Sequence, residues 1–334
     1  MKRSVGGVEF CMEENNKLKI LFAGNGSICL EVFKAVVENF NCVGLLTGAD
    51  KKGARGNKKI TPEIKLIAQG KGIPVIQVEH LRTAERQLVS SLEPDFLVSF
   101  SFGRIFGPKF LQLFSKGTLN IHPSKLPNSR GPSPIRAAIL SGSNEWAISY
   151  QEIGLKMDEG RLFGIFPFSL DGDENVSSLT KKVSYLAVNP CINILHQIEG
   201  GKVELKEQEG EISYCSLVNK EDGALDFNNK VSEVHSLIRA CYPWPKAYSF
   251  FNGNQVFITG VWGKFNSGVS ELDTSSYRSG EIVEYKKNQG VGVMCCDGII
   301  YLTGFQFPTK KEIDHKDFMN RFQSGVGQFF CVEK

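Results

Sequence analysis

The sequence has no CxxC pair, no low-complexity tract, no internal repeat and almost no excess of charge of either sign. Its nine cysteines (Cys11, Cys29, Cys42, Cys191, Cys215, Cys241, Cys295, Cys296, Cys331) are odd in number and scattered. Adjacent Cys295 and Cys296 neither bridge readily nor give zinc-knuckle spacing, so a disulfide framework and a structural zinc site are both excluded. Such cysteines read as small apolar residues of a reducing compartment. No run of about 18 residues is free of charged and polar interruptions, which argues against a membrane span. Lys2 and Arg3 are not followed by an apolar h-region before Glu13 and Glu14, so a signal peptide is not expected and the protein reads as cytoplasmic. With 39 Lys+Arg against 36 Asp+Glu the formal charge is only +3, and any nucleic-acid contact must come from a local patch. What remains is a chain of 334 residues, 41% hydrophobic, long enough for two globular domains.

The first half alternates in period. Leu18–Ala23, Cys42–Thr47, Ile73–Ile76, Phe96–Phe100 and Thr118–His122 are short apolar runs. Helical spacing separates them at Ser27–Asn39 and Pro62–Gln69 and follows at Pro134–Ser141. Near-continuous apolar strands alternating with helices predict a doubly wound, mostly parallel α/β sheet. Such a sheet binds ligands beyond the carboxyl ends of its strands. After a helix over about Ser177–Ile198, the stretch Gly200–Gly210 is polar and reads as a linker. One helix (Lys230–Ala240) and short runs at Gln255–Gly260, Gly280–Tyr285, Gly290–Met294 and Ile299–Phe307 then predict a small OB-like β-barrel. The expected organisation is an extension over residues 1–17, a catalytic domain over 18–202, a linker over 203–222 and a barrel over 223–334.

Gly24-Asn25-Gly26-Ser27 lacks the third glycine of a dinucleotide fingerprint, Cys29 standing in its place, and no acid closes the second strand. It reads as a tight strand-to-helix turn. No Walker A sequence occurs. The densest signal is Thr118–Pro134, TLNIHPSKLPNSRGPSP. Asn120 and His122 lie two apart on a strand end, so both side chains face one side of the sheet. A proton-transfer group beside an uncharged donor suits acyl transfer; a histidine that merely caps the next helix is the other account of the same spacing. A second cluster is cationic. Lys51, Lys52, Arg55, Lys58 and Lys59 fall within nine positions without an acid, among Gly53 and Gly56. This loop can neutralise phosphates and splay a base-paired end, or be an ordinary solvated surface.

NIHPSKLPNSRGPSPI resembles the signature of the folate-dependent formyltransferases, Asn-x-His-x-Ser-Leu-Leu-Pro-x-x-Arg-Gly followed by Pro-Ile. Met157-Asp158-Glu159-Gly160 matches the Leu-Asp-x-Gly loop that carries the family's third catalytic residue. The similarity extends from about Leu18 to Phe330: LKILFAG matches the opening strand, Asp50–Pro62 a basic loop, Ala240–Phe250 an element of the C-terminal domain, and Pro308–Phe330 that domain's Lys-rich turn and closing helix.

The resemblance implies that a formyl group moves from 10-formyltetrahydrofolate, as co-substrate, to the α-amino group of methionine on initiator tRNA. Asn120, His122 and Asp158 are the implied catalytic trio. Asn120 would donate to the oxyanion, His122 would move the proton, and Asp158 would orient the imidazole or a bridging water. Ser101, Phe102, Gly103, Ile105, Ser124, Lys125, Leu126, Pro127 and Met157 are the implied folate contacts. Lys51, Lys52, Arg55, Lys58, Lys59 and Arg130 are the implied tRNA contacts. No metal and no partner subunit is implied. The chain departs from the pattern at Asn25-Gly26, at Lys125 and before Asp158, and Arg161 stands where an acid is common. The barrel segment is nearly neutral, with 12 basic and 11 acidic residues over 223–334. A sugar-nucleotide amine formyltransferase would share fold and trio, with less use for the cationic loop; a non-catalytic folate- or RNA-binding paralogue is the other alternative. Trp244, between two prolines, reads as a packing anchor rather than a stacking platform, and His80, His196, His235 and His315 as ordinary.

Overall fold

The computed structural model describes residues 17–52, 59–265, 276–322 and 325–331. Its first sheet is built from a regular alternation. The order along the chain is β1 (Lys19–Gly24), α1 (Leu30–Asn39), β2 (Asn41–Gly48), a short hairpin of β3 (Lys51–Lys52) and β4 (Lys59–Ile60), α2 (Glu63–Gly70), β5 (Val75–Val78), α3 (Thr83–Ser90) and β6 (Phe96–Phe100). It continues through α4 (Pro108–Leu111), β7 (Thr118–His122), α5 (Pro134–Leu140), β8 (Glu145–Gln151), β9 (Leu162–Ser169), α6 (Val176–Leu186) and α7 (Val188–Glu199). The strands lie in the order β5-β2-β1-β6-β7-β8-β9. β5 through β7 are parallel, and their side chains bury on both faces as apolar runs such as LFA and FLV dictate. Phe22, Phe33 and Leu119 pack on one face, Leu21, Leu97 and Phe102 on the other.

The antiparallel edge pair β8–β9 is absent from the periodicity reading. β8 is buried along almost its whole length and shows no alternation, while β9 contains Pro167, which ladders tolerate at an edge. The single helix expected over Ser177–Ile198 is two, joined at Ala187. Asn175 caps the first by accepting from the Ser178 amide at 3.0 Å. The third predicted strand lies two residues later, at Val75–Val78.

The second sheet follows α8 (Val231–Cys241). Its strands are β10 (Ala247–Phe251), β11 (Asn254–Val261), β12 (Ile282–Lys286), β13 (Gly290–Met294), β14 (Ile299–Gln306), β15 (Glu312–Asp314) and, after α9 (His315–Arg321), β16 (Phe330–Cys331). They run β12-β13-β14-β11-β10-β16. A bridge between Glu281 and Phe329, with Ile282 N donating to Gln328 O at 2.8 Å, brings the two edges together and closes a barrel. Its core is aromatic: Phe305 and Phe318 stack at 4.0 Å, beside Phe251 and Phe330.

In the first sheet the chain leaves β1 for β2 on one side and β6 on the other, which makes the β1–β6 boundary the switch point. A cleft of about 860 Å³ opens beyond the carboxyl ends of these strands and β7, where a doubly wound sheet places its ligand. No helix among the described residues is long and apolar enough to cross a membrane.

Candidate active site

β7 delivers the first two residues. Asn120 pairs with Ser99 of β6 and Gln151 of β8, and His122 with Ser149 of β8. Both therefore stand on a strand bonded on each side, and both line the cleft. Among the described residues the Asn120 side-chain amide makes no hydrogen bond, so its donors are available to a ligand. His122 is buried, with 6% of its surface exposed. Its Nε2 lies 3.0 Å from the carbonyl oxygen of Ser129. A carbonyl oxygen only accepts, so Nε2 carries a hydrogen and Nδ1 is the nitrogen left for proton transfer. Nδ1 faces Asp158 Oδ1 at 3.7 Å, too long for a direct bond and close enough for Coulombic attraction once the ring is protonated.

The loop after β7 is pinned to make this possible. Trp146 Nε1 donates to Pro123 O at 2.7 Å, and Ser149 Oγ both donates to Ser124 O at 2.6 Å and accepts from Leu126 N at 3.1 Å. Gly131 has φ +116°, and a Cβ there would meet Cys215 O at 2.3 Å, so no other residue fits. The third residue arrives on the turn between β8 and β9. Asp158 has φ +56°. Its Oδ2 accepts from Gly131 N and its Oδ1 from Gln151 Nε2, both at 2.9 Å. Gly160 follows because a Cβ would lie 1.9 Å from Glu152 O.

The remaining predicted positions divide. Ser101, Phe102, Gly103, Ile105 and Met157 line the cleft. Ile105, Leu155 and Met157 are 77%, 69% and 55% exposed, a set of apolar side chains held open to water at its mouth. Ser124, Lys125, Leu126 and Pro127 do not reach it. Ser124 Oγ donates to Asn128 O within the loop, Leu126 N donates to Ser149 Oγ of β8, and Lys125 is exposed. Arg130 is buried and turned inward, bonding Gln208 Oε1 through Nε and Nη2 and pairing with Glu159 at 3.3 Å. Lys51, Lys52 and Lys59 fall on the β3–β4 hairpin; Arg55 and Lys58 lie outside the described residues. Arg161, which stands where the resemblance makes an acid the common residue, pairs with Glu152 at 2.9 Å. Trp244 departs from the packing role expected for it: the residue is 56% exposed and lines the cleft together with Leu217, which is 71% exposed. Gln151, Ser129 and Gln208 were not singled out in the sequence, because amides and carbonyls distant in the chain leave no local pattern. Among the described residues no group of His, Cys, Asp and Glu is arranged to hold a metal ion.

Residues 17–194 match the family described as "Formyl transferase", and residues 217–323 match "Formyl transferase, C-terminal domain". The chain belongs to the formyl transferase family. Its similarity to curated members spans almost the entire chain. It is 35% identical to a methionyl-tRNA formyltransferase of Borreliella afzelii over 94% of this chain and 98% of that one. It is 32% identical to one of Borrelia hermsii over 94% and 100%. Among solved structures, HypX from Aquifex aeolicus in complex with tetrahydrofolic acid superposes with a TM-score of 0.61 at 16% identity. That match covers 93% of this chain and 48% of HypX, so this formyl transferase spans about half of that larger protein. The methionyl-tRNA formyltransferase from Clostridium thermocellum matches with a TM-score of 0.53 at 16% identity, over 75% and 95% of the two chains. These likenesses establish the shared fold.

Proposed function

We propose that this formyl transferase moves a formyl group from 10-formyltetrahydrofolate to the α-amino group of methionine carried by initiator tRNA. The observation that carries the reading is the meeting of Asn120, His122 and Asp158 at one end of the cleft, in a chain that curated methionyl-tRNA formyltransferases match over 94% of its length. The cleft lies in the size range of a small-molecule site, and its exposed Ile105, Leu155 and Met157 suit a flat heteroaromatic ring. The folate supplies an activated formyl group; the protein's own residues do the rest. The side-chain amide of Asn120 donates to the formyl oxygen as it gains charge, an interaction worth about 10²–10³ in rate. His122 Nδ1 takes the proton that the attacking amine releases and returns it to the departing folate nitrogen, worth about 10²–10⁴. Asp158 faces that nitrogen and favours the ring while it holds the proton.

In this reading residues 18–202 form the catalytic domain, 203–222 the linker and 223–334 the tRNA-binding barrel, in a cytoplasmic monomer that uses no metal. Lys51, Lys52, Arg55, Lys58 and Lys59 hold the acceptor end of the tRNA. The barrel's near balance of charge leaves that loop to supply most of the phosphate attraction. Arg130 acts from inside the loop, not on phosphate, because its guanidinium is already engaged with Gln208 and Glu159.

Single-turnover transfer of labelled formyl, with initiator and elongator methionyl-tRNA in parallel, tests the reading. Fast transfer to the initiator, lost when the five cations of the loop become Ala, is the expected result. No transfer to either tRNA, with formyl passing to an amino-sugar nucleotide instead, would overturn it.

A further inference from the structure

The segment expected to be a polar linker does more than connect. Lys206 pairs with Leu162 as an antiparallel bridge, and Tyr214 pairs with Arg130 as a parallel one. Arg130 N donates to Ser213 O at 3.0 Å, and Cys215 N donates to Arg130 O at 2.8 Å. Ser213 Oγ accepts from Ser129 N at 2.9 Å. Residues 206–215 thus form a strap across both loops that carry the site. Ser129, whose carbonyl fixes the His122 tautomer, has φ +57°, and Asp158 has φ +56°. Each sits in the left-handed region, which side chains other than glycine's enter sparingly, and the strap bonds the backbone around both.

Gln208 is the side chain at the centre of this strap. Its Nε2 donates to Asp158 O at 2.9 Å, to Gly160 O at 2.8 Å and, more weakly, to Gln151 Oε1 at 3.3 Å. Its Oε1 accepts from Arg130 Nη2 at 2.8 Å and Nε at 3.2 Å. The polarity of the whole chain follows from one charge. Arg130 can only donate, so the oxygen of Gln208 must face it and the nitrogen must face the other way. The two carbonyls there can only accept, which agrees. The weaker contact then turns the oxygen of Gln151 toward Gln208 and its nitrogen toward Asp158 Oδ1, at 2.9 Å. Reversing any amide would set oxygen against oxygen or N–H against N–H. The relay Arg130–Gln208–Gln151–Asp158 is therefore single-valued, and bonds aligned head to tail reinforce one another.

We propose that Gln208 is a positioning residue for the formyl transfer reaction: through the Asp158 turn and Gln151 it holds the Asp158 carboxylate opposite His122 Nδ1. The inference rests on the proposed reaction for its kinetic arm and on the protein alone for its spectroscopic arm. Gln208→Ala removes both halves of the amide. Gln208→Glu keeps an acceptor for Arg130 but turns a carboxylate oxygen toward Asp158 O and Gly160 O, so it separates positioning from simple strap integrity. Glu209→Ala, an exposed neighbour, is the control.

The first measurement is the ring nitrogen resonances of His122 in histidine-labelled protein at fixed pH, assigned with His122→Gln. Gln208→Ala and Gln208→Glu are expected to move them in the direction that Asp158→Asn does, with Glu209→Ala matching wild type. In single turnover the two Gln208 variants should lose about tenfold or more in kcat, with KM for the tRNA within about threefold. Gln208→Ala added to Asp158→Asn should cost nothing further, the non-additivity of residues acting through one another. Unmoved His122 resonances in both Gln208 variants, or full additivity with Asp158→Asn, would overturn the proposal. If wild type fails to formylate tRNA while the resonances shift as described, the functional reading falls and the positioning role of Gln208 stands.

Discussion

The protein buries two histidines in nearly the same way and gives them opposite fates. His122 at the end of β7 and His235 on α8 are 6% and 3% exposed. Each aims Nε2 at a main-chain carbonyl, Ser129 O at 3.0 Å and Gly263 O at 3.2 Å, so both carry hydrogen on Nε2 and leave a lone pair on Nδ1. What faces Nδ1 decides the rest. At His122 it is a carboxylate oxygen at 3.7 Å and an open cleft. At His235 it is Arg239 Nε, donating at 3.1 Å, in the packed seam between barrel and catalytic sheet. Burial, with the Arg239 charge adding to it, pushes the His235 imidazole down to about 4. In the proposed reading, the first ring takes a proton and passes it on. The other is held neutral as a hydrogen-bonding spacer that lets Arg239 reach across to Glu174 O at 2.8 Å. A buried histidine is thus defined less by its burial than by the partner of its second nitrogen.

The comparison can be broken most severely at His122. His122→Ala should lower the single-turnover rate about 10²–10⁴-fold, whereas His235→Gln should change it little. Gln can donate to Gly263 O and accept from Arg239 in the same place. Asn120→Ala comes next, with an expected loss of about 10²–10³ in the same assay, and with unchanged denaturant unfolding because the Asn120 amide has no protein partner among the described residues.

His235 sharpens the contrast through stability. Its folded value lies below its unfolded value, so unfolding takes up a proton in the interval between them. The stability it permits is whole above about pH 6.5 and drains as the pH falls toward 4. The loss amounts to about 3 kcal/mol over that window, and urea unfolding at pH 7 and pH 4 should show it in wild type and not in His235→Gln. Arg239→Met gives the smallest effect. Removing the secondary, Coulombic cause while leaving burial in place should bring the folded value part of the way back toward the ordinary histidine one, so acid destabilisation still sets in below about pH 6.5 but ends at a higher pH and is smaller than in wild type.

Much of the site was legible because it follows strand geometry. Asn120 and His122 share a face by the period of two, and the Pro-rich exit that follows marks a strand end at a sheet's carboxyl edge. Asp158 came from the motif and not from physics, since nothing local predicts a left-handed residue 36 positions on. The parallel strands were legible as apolar runs. β8 and β9 were not, one being uniformly buried and the other interrupted by Pro167. Gln208 was illegible for another reason: its meaning lies in four partners distant in sequence, and its neighbours Glu207 and Glu209 make the stretch look like solvated tether. Trp244 looked like packing because a large aromatic residue is more often an anchor than a stacking platform, yet here it lines the cleft.

The strap also shortens the leash on the barrel. Cys215 is stitched to Arg130, and Asp222 receives Arg136 Nη2 on its carbonyl at 3.1 Å, so only Ser216 through Glu221 run between the last stitch and the first anchor. Six residues span about 20 Å at full stretch, and the seam at Arg239 and Glu174 takes up the slack. The barrel is therefore held at one distance from the first sheet, and in the proposed reading, where barrel and cationic loop both hold the tRNA, that distance works as the width of a caliper. A macromolecule gripped by both is measured for the distance between its gripped points, and one of the wrong span gains no avidity from the second contact however well it fits the first.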